Sequence, residues 1–157
     1  MPTTHPQFGT DLRLLPDLER VKSNRDPGND LSTVKRAETG QIDLEVLTDT
    51  DNLVQALFLR FLIPMGELTI LGHPNYGSRL AELIGELNNE VNRNRAKLYV
   101  LQALADEPRV QQVLSVTVTQ NQGDRTRMDI DINLLAVDRD TPLNLVFPFF
   151  LEGGIST

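Results

Sequence analysis

Cysteine and tryptophan are absent from this chain of 157 residues, and histidine occurs twice, at His5 and His73. Without thiols there is no disulfide and no zinc site built on thiolates, and two histidines leave almost no room for one built on imidazoles. No Trp and two Tyr are poor material for stacking sugar rings. A basic excess is missing as well. Fifteen Lys and Arg stand against 22 Asp and Glu, a net charge of −7 that excludes a globally basic nucleic-acid binder. The longest apolar stretch, Leu53 to Ile63, is broken by Gln55 and Arg60. It falls far short of the roughly 20 residues that a spanning helix needs. The opening Met1-Pro2-Thr3-Thr4-His5-Pro6 has neither the basic region nor the apolar run of a signal peptide, so the protein is expected to stay where it is made.

What is present is patterned. Residues 1–40 hold Pro2, Pro6, Pro16, Pro27 and the polar run Ser23 to Asp30, the composition of an extended or loosely ordered N-terminal arm. Residues 41–157 are expected to form one domain. Ile42, Leu44 and Val46 alternate with Asp43, Glu45 and Leu47, which predicts a strand. Leu53, Val54, Leu57, Phe58, Phe61 and Leu62 recur at helical spacing until Pro64 ends the run. Ser78 reads as the N-cap of a second helix with Leu80, Leu83, Ile84 and Leu87 at i, i+3, i+4 and i+7. A third helix sets Val91, Leu98, Leu101 and Leu104 on one side, keeps Arg93, Arg95 and Lys97 largely outside, and stops before Pro108.

Beyond Arg109 the period changes to two. Leu114, Val116 and Val118, then Met128, Ile130, Ile132 and Leu134 after a polar turn, predict an antiparallel hairpin over 113–137. The last segment sets Leu143, Leu145, Phe147, Phe149 and Leu151 on one face of a strand, with Val146 and Phe150 on the other. Pro148 lacks a donor and keeps this strand from a central position. It is either buried at home or adds to the sheet of another subunit. The fold class is α+β: a small helical bundle packed on an antiparallel sheet, with a C-terminal hairpin plus a terminal edge strand.

Signs of chemistry are few. Gly72 to Ser78 precedes a helix as a phosphate loop does, but no lysine follows, so it reads as a rigid turn. Asp129 with Asp131, and Asp138 with Asp140, read as solvated faces rather than a cation site. His73 has no recognisable nucleophile and reads as a loop residue that holds its turn by hydrogen bonds. Glu67 and Glu107 remain as a conceivable carboxylate pair for glycoside hydrolysis. No catalytic, cofactor-binding or metal-ligating residue is assigned.

Four segments together give a sharper reading. The first is Asp51-Asn52-Leu53-Val54-Gln55-Ala56-Leu57, continuing through Arg60 and Phe61 to Pro64-Met65-Gly66-Glu67-Leu68. The second is Gly72-His73-Pro74-Asn75-Tyr76-Gly77-Ser78-Arg79-Leu80, extended by Leu83-Ile84-Gly85. The third is Glu107-Pro108-Arg109-Val110, and the fourth is Asn144-Leu145-Val146-Phe147-Pro148-Phe149. In this order, over residues 43–151, the chain resembles the GPW-type baseplate wedge family, the sheath initiators of contractile phage tails and contractile injection systems.

The resemblance implies a structural protein without cofactors, present in six copies around the tail tube, cytoplasmic during assembly and then part of the baseplate. It assigns Glu107, Pro108 and Arg109 to the interface with baseplate wedge proteins. Leu143, Leu145, Phe147, Phe149 and Leu151 would lie on the strand facing the sheath subunits, and inner tube proteins are further candidate partners. Gly66, Glu67, His73, Pro74, Tyr76, Gly77 and Ser78 form the family's motif turn. Nucleic-acid binding and membrane insertion are not expected. Deleting 143–157 would leave a foldable core that no longer supports sheath assembly. Some members of the family are called lysozyme-like, so a peptidoglycan hydrolase is the alternative.

Overall fold

The computed structural model describes residues 8–14 and 32–152, and contacts divide the chain into two compact units at Ala56 and Leu57. In the first unit, strand β1 (Thr10–Leu12) pairs antiparallel with β4 (Val46–Thr48), and β2 (Thr33–Lys35) pairs antiparallel with β3 (Ile42–Leu44). The alternation over 42–47 predicts one strand; the structure breaks it at Glu45. The Glu45 N–H donates to the Ser32 carbonyl, while its own carbonyl accepts from the Arg13 N–H. Its carboxylate pairs with Arg13 at 2.8 Å. The chain therefore changes partner at Glu45, and the expected inner face is lost. Ile42 is 75% exposed, Leu44 and Val46 are exposed too, and Leu47 is the buried member. Two-stranded ladders this short bury little on either face.

Of the expected arm, residues 1–7 and 15–31 lie outside the described residues. The described segment 8–14 is tied in place: Phe8 is buried and its carbonyl accepts from Asn52 Nδ2 at 2.7 Å. The Gln55 amide donates to the Leu12 carbonyl and accepts from the Leu14 N–H, both at 2.7 Å. Asn52 and Gln55 belong to helix α1 (Asp49–Leu62), where the apolar spacing predicts it. Asp49 and Asp51 occupy its first turn and suit the positive end of the helix.

The second unit is a three-stranded antiparallel sheet in the order β5 (Val110–Gln120), β6 (Arg127–Ala136), β7 (Leu143–Phe150), with helix α2 (Glu90–Ala105) against β5. Central strand β6 alternates as predicted: Met128, Ile130, Ile132, Leu134 and Ala136 are all buried. Pairing sets Phe149, Phe147 and Leu145 beside Met128, Ile130 and Ile132 on the same face. Phe147 lies 5.2 and 5.3 Å from the rings of Phe58 and Phe61 on α1, so the last strand closes the core.

The α+β class holds, and three details differ from the sequence reading. The predicted second helix is a 3₁₀ turn, Leu80–Leu83. Three residues per turn bring Leu80 and Leu83 to one side, where both are buried, while Ile84 and Leu87 are left outside. Ile84 is extended and ends the turn, and Gly85 follows with φ +89°, its N–H donating to the Leu151 carbonyl.

Helix α2 buries Asn92, Ala96, Tyr99, Val100, Ala103 and Leu104, a set that shares only Leu104 with the predicted face, and leaves Val91 and Leu98 exposed. In β5 a bulge at Leu114 shifts the alternation, because Val113 faces Leu134 and Val116 faces Ile132. Leu114 is thereby turned outward. The expectation for deletion of 143–157 also changes. Leu145, Phe147, Phe149 and Leu151 are core side chains, so the remainder would lose one of the three strands that bury β6.

Candidate functional site

The turn after α2 holds a buried polar cluster. Pro108 requires non-helical geometry in the residue before it, so α2 ends at Ala105 and Glu107 enters the turn that opens β5. The Glu107 side chain is only 3% exposed. Arg109 grips it twice, Nε to Oε1 at 2.6 Å and Nη2 to Oε2 at 3.3 Å, and the Arg109 N–H adds a third donor at 3.3 Å. From the last turn of α1, Arg60 Nη2 donates to Oε2 at 3.2 Å. Burial pushes the Glu107 carboxyl up, but the hydrogen bonds and charge of Arg109, with the charge of Arg60, outweigh it and hold the carboxyl below its ordinary value.

Arg60 is buried, and its Nε has no acceptor among the described residues. Its guanidinium instead lies over the Tyr76 ring, 4.5 Å from the centroid. Tyr76 is brought there by the motif turn. The Ser78 N–H donates to the Ile63 carbonyl, the Met65 N–H donates to the Ser78 carbonyl, and Ser78 Oγ donates to the Phe61 carbonyl at 2.7 Å. This seals the C-terminal end of α1, whose carbonyls lack helical partners. Gly77 is essential to the seal: its φ is +109° and a Cβ there would overlap the Ile63 carbonyl oxygen.

The structure thus brings Tyr76, Gly77, Ser78, Glu107 and Arg109 together around the end of α1. It leaves Pro108 exposed on the turn, and Glu67, His73 and Pro74 exposed in their loop. Gly66 takes a left-handed φ of +91°, and its carbonyl accepts from the Thr69 N–H and hydroxyl. His73 holds its loop through the backbone, N–H to the Leu68 carbonyl and carbonyl to the Tyr76 N–H. Leu145, Phe147, Phe149 and Leu151 are buried under the helices' side of the sheet, with Leu143 half-buried at the strand's start. The outer edges of β5 and β7 have no strand partner among the described residues. Arg60 is the member that sequence reasoning passed over. Its signal was present as a lone cation interrupting the apolar run of α1.

Chemically this cluster is a clamp. The proton donor of a glycoside hydrolase has a raised pKa, and the two guanidiniums hold the Glu107 carboxyl in the opposite direction. Asp129 accepts from Arg127 Nε at 2.6 Å and from Asn121 Nδ2 at 2.7 Å, and Asp131 accepts from Asn144 Nδ2 at 2.9 Å. Among the described residues no three His, Asp or Glu side chains converge as a metal site would require, and no helix is long and apolar enough to cross a membrane.

No protein-family model matches the chain, and no curated protein matches it. Its fold is similar to the crystal structure of a "putative tail lysozyme" from Geobacter sulfurreducens, with a TM-score of 0.59 and 25% sequence identity. The likeness covers 69% of this chain and 96% of that one.

Proposed function

We propose that the chain is a structural baseplate component of a contractile tail or injection system, linking the wedge ring to the first sheath ring and starting sheath assembly by strand exchange. The observation that carries this reading is the likeness to a protein named for a tail, over nearly that protein's whole length. The Glu107 clamp supports a structural role over the hydrolase alternative, since it spends the one well-buried carboxylate of the turn on holding shape. The turn also gains by it. Glu107 and Arg109 neutralise each other, so a wedge partner would meet a preorganised surface centred on Pro108 and would not have to order it on binding. Strand exchange would use backbone edges, since Leu145, Phe147 and Phe149 of β7 are already buried.

Asp106 is exposed beside Pro108, so Asp106→Lys tests the wedge contact while keeping the proline that shapes the turn and the clamp. Co-purification with the wedge proteins should fall while the melting temperature stays put; undiminished co-purification would remove the turn from the interface. Particles from cells lacking this protein should show tubes and baseplates without sheath by electron microscopy. Sheaths of normal length there would sink the initiator role. Peptidoglycan clearing by the purified protein, lost on Glu67→Gln, would favour the hydrolase.

A further inference from the structure

Helix α2 has a second apolar face that takes no part in the core among the described residues. Opposite its buried side, Val91, Asn94, Leu98, Leu101 and Ala105 follow one another at alternating spacings of three and four residues. That is the spacing of a coiled-coil seam. Val91 is 68% exposed and Leu98 51%, Asn94 and Ala105 are exposed, and Leu101 is half-buried. A single exposed leucine needs no explanation, but a seam running the length of a helix marks a contact surface.

The charges beside the seam say what fits it. In a chain of net charge −7, α2 carries Arg93, Arg95 and Lys97 against Glu90 alone. Arg93 is hydrogen-bonded to the neutral Asn88, while Arg95 is hydrogen-bonded to the neutral Asn92 and Tyr99 and its charge is also felt by the Glu82 carboxylate. Lys97 is exposed beside Leu98 and has no ion-pair partner among the described residues. A second copy of this chain suits the seam poorly. Two α2 helices laid antiparallel with 91–101 fully overlapped would set Lys97 against Lys97 and Arg95 against Arg95.

We infer that the seam docks an amphipathic helix of a different protein, apolar along Val91–Ala105 and acidic where it passes Lys97. Leu98 fills the centre of the contact, Asn94 fixes register, and Lys97 selects the charge of the incoming helix. This surface is read from α2 alone and does not depend on the contractile-tail reading.

The test uses the full chain and two synthetic peptides of about three heptads with the same leucine seam, one flanked by Glu and one by Lys. Fluorescence anisotropy should show the Glu-flanked peptide binding about tenfold more tightly, with the margin shrinking as salt rises. Leu98→Glu, and separately Val91→Glu, should each weaken it about tenfold while circular dichroism and melting stay unchanged. Lys97→Glu should reverse the preference between the peptides, and Val146→Glu on the far face of the sheet should change nothing. Equal affinity for the two peptides, no binding of either, or no loss in both seam variants overturns the proposal. A dimer in sedimentation that disappears on Leu98→Glu overturns it as well, by making a second copy the occupant.

Discussion

At the residue scale, the polar side chains inside apolar α1 do the joining. Asn52 and Gln55 hold the segment 8–14, and Arg60 reaches Glu107, 47 positions away in sequence. Arg60 and Glu107 are both buried, so their pairing has to repay the loss of hydration, and removing one partner leaves the other exposed to that loss. Glu107→Gln is therefore expected to cost roughly 3 kcal/mol in urea denaturation, since two guanidiniums lose their carboxylate at once. The pH dependence follows from the lowered carboxyl. Its stabilising contribution is complete above its unfolded value near 4.5 and is lost as pH falls through the lower, folded value. The unmodified protein should lose stability on acidification through and below that range more steeply than the Gln variant does. Parallel slopes would show that Glu107 is not held as described. Arg60 and Gln55 were visible in the sequence as interruptions of an apolar run, but their partners come from distant segments that only folding brings near.

At the element scale, periodicity found most elements and misassigned some faces. Helix α1 and strand β6 were legible because the core side chains of each, Leu53, Leu57 and Phe61 in one and Met128, Ile130, Ile132 and Leu134 in the other, keep a regular spacing. Leu80, Leu83, Ile84 and Leu87 matched an α-helical template equally well, yet the segment is a 3₁₀ turn ended by an extended Ile84. Leucine scanning separates the two geometries. Leu83→Ala should cost about 2–5 kcal/mol because that side chain is fully buried, whereas Leu87→Ala, 77% exposed, should stay within about 0.5 kcal/mol. Equal losses would restore the amphipathic helix. The α2 helix was placed correctly and its face was not, because the helix carries two apolar stripes. Sequence offers no means of choosing which one the sheet will cover. The bulge at Leu114 is of the same kind: a one-residue insertion against β6 that alternation along β5 alone does not reveal.

At the scale of the whole molecule, β7 decides whether the second unit exists. It covers one side of β6, and Phe147 packs against Phe58 and Phe61 of α1. Removal of 143–157 should abolish cooperative melting, and Phe147→Ala by itself should cost about 3–5 kcal/mol. A truncated chain that still melts cooperatively would return β7 to the role of a free edge. By itself the sequence determined the α+β class, the places of both helices, the terminal hairpin and the absence of thiolate chemistry. These follow from composition and from patterns local to each segment. Tertiary structure alone decided that Glu107 is clamped by Arg60 and Arg109, that Tyr76 covers Arg60, and which stripe of α2 meets water. Each of these depends on desolvation and on contacts between residues far apart in the chain, and neither is written in the spacing of any one segment.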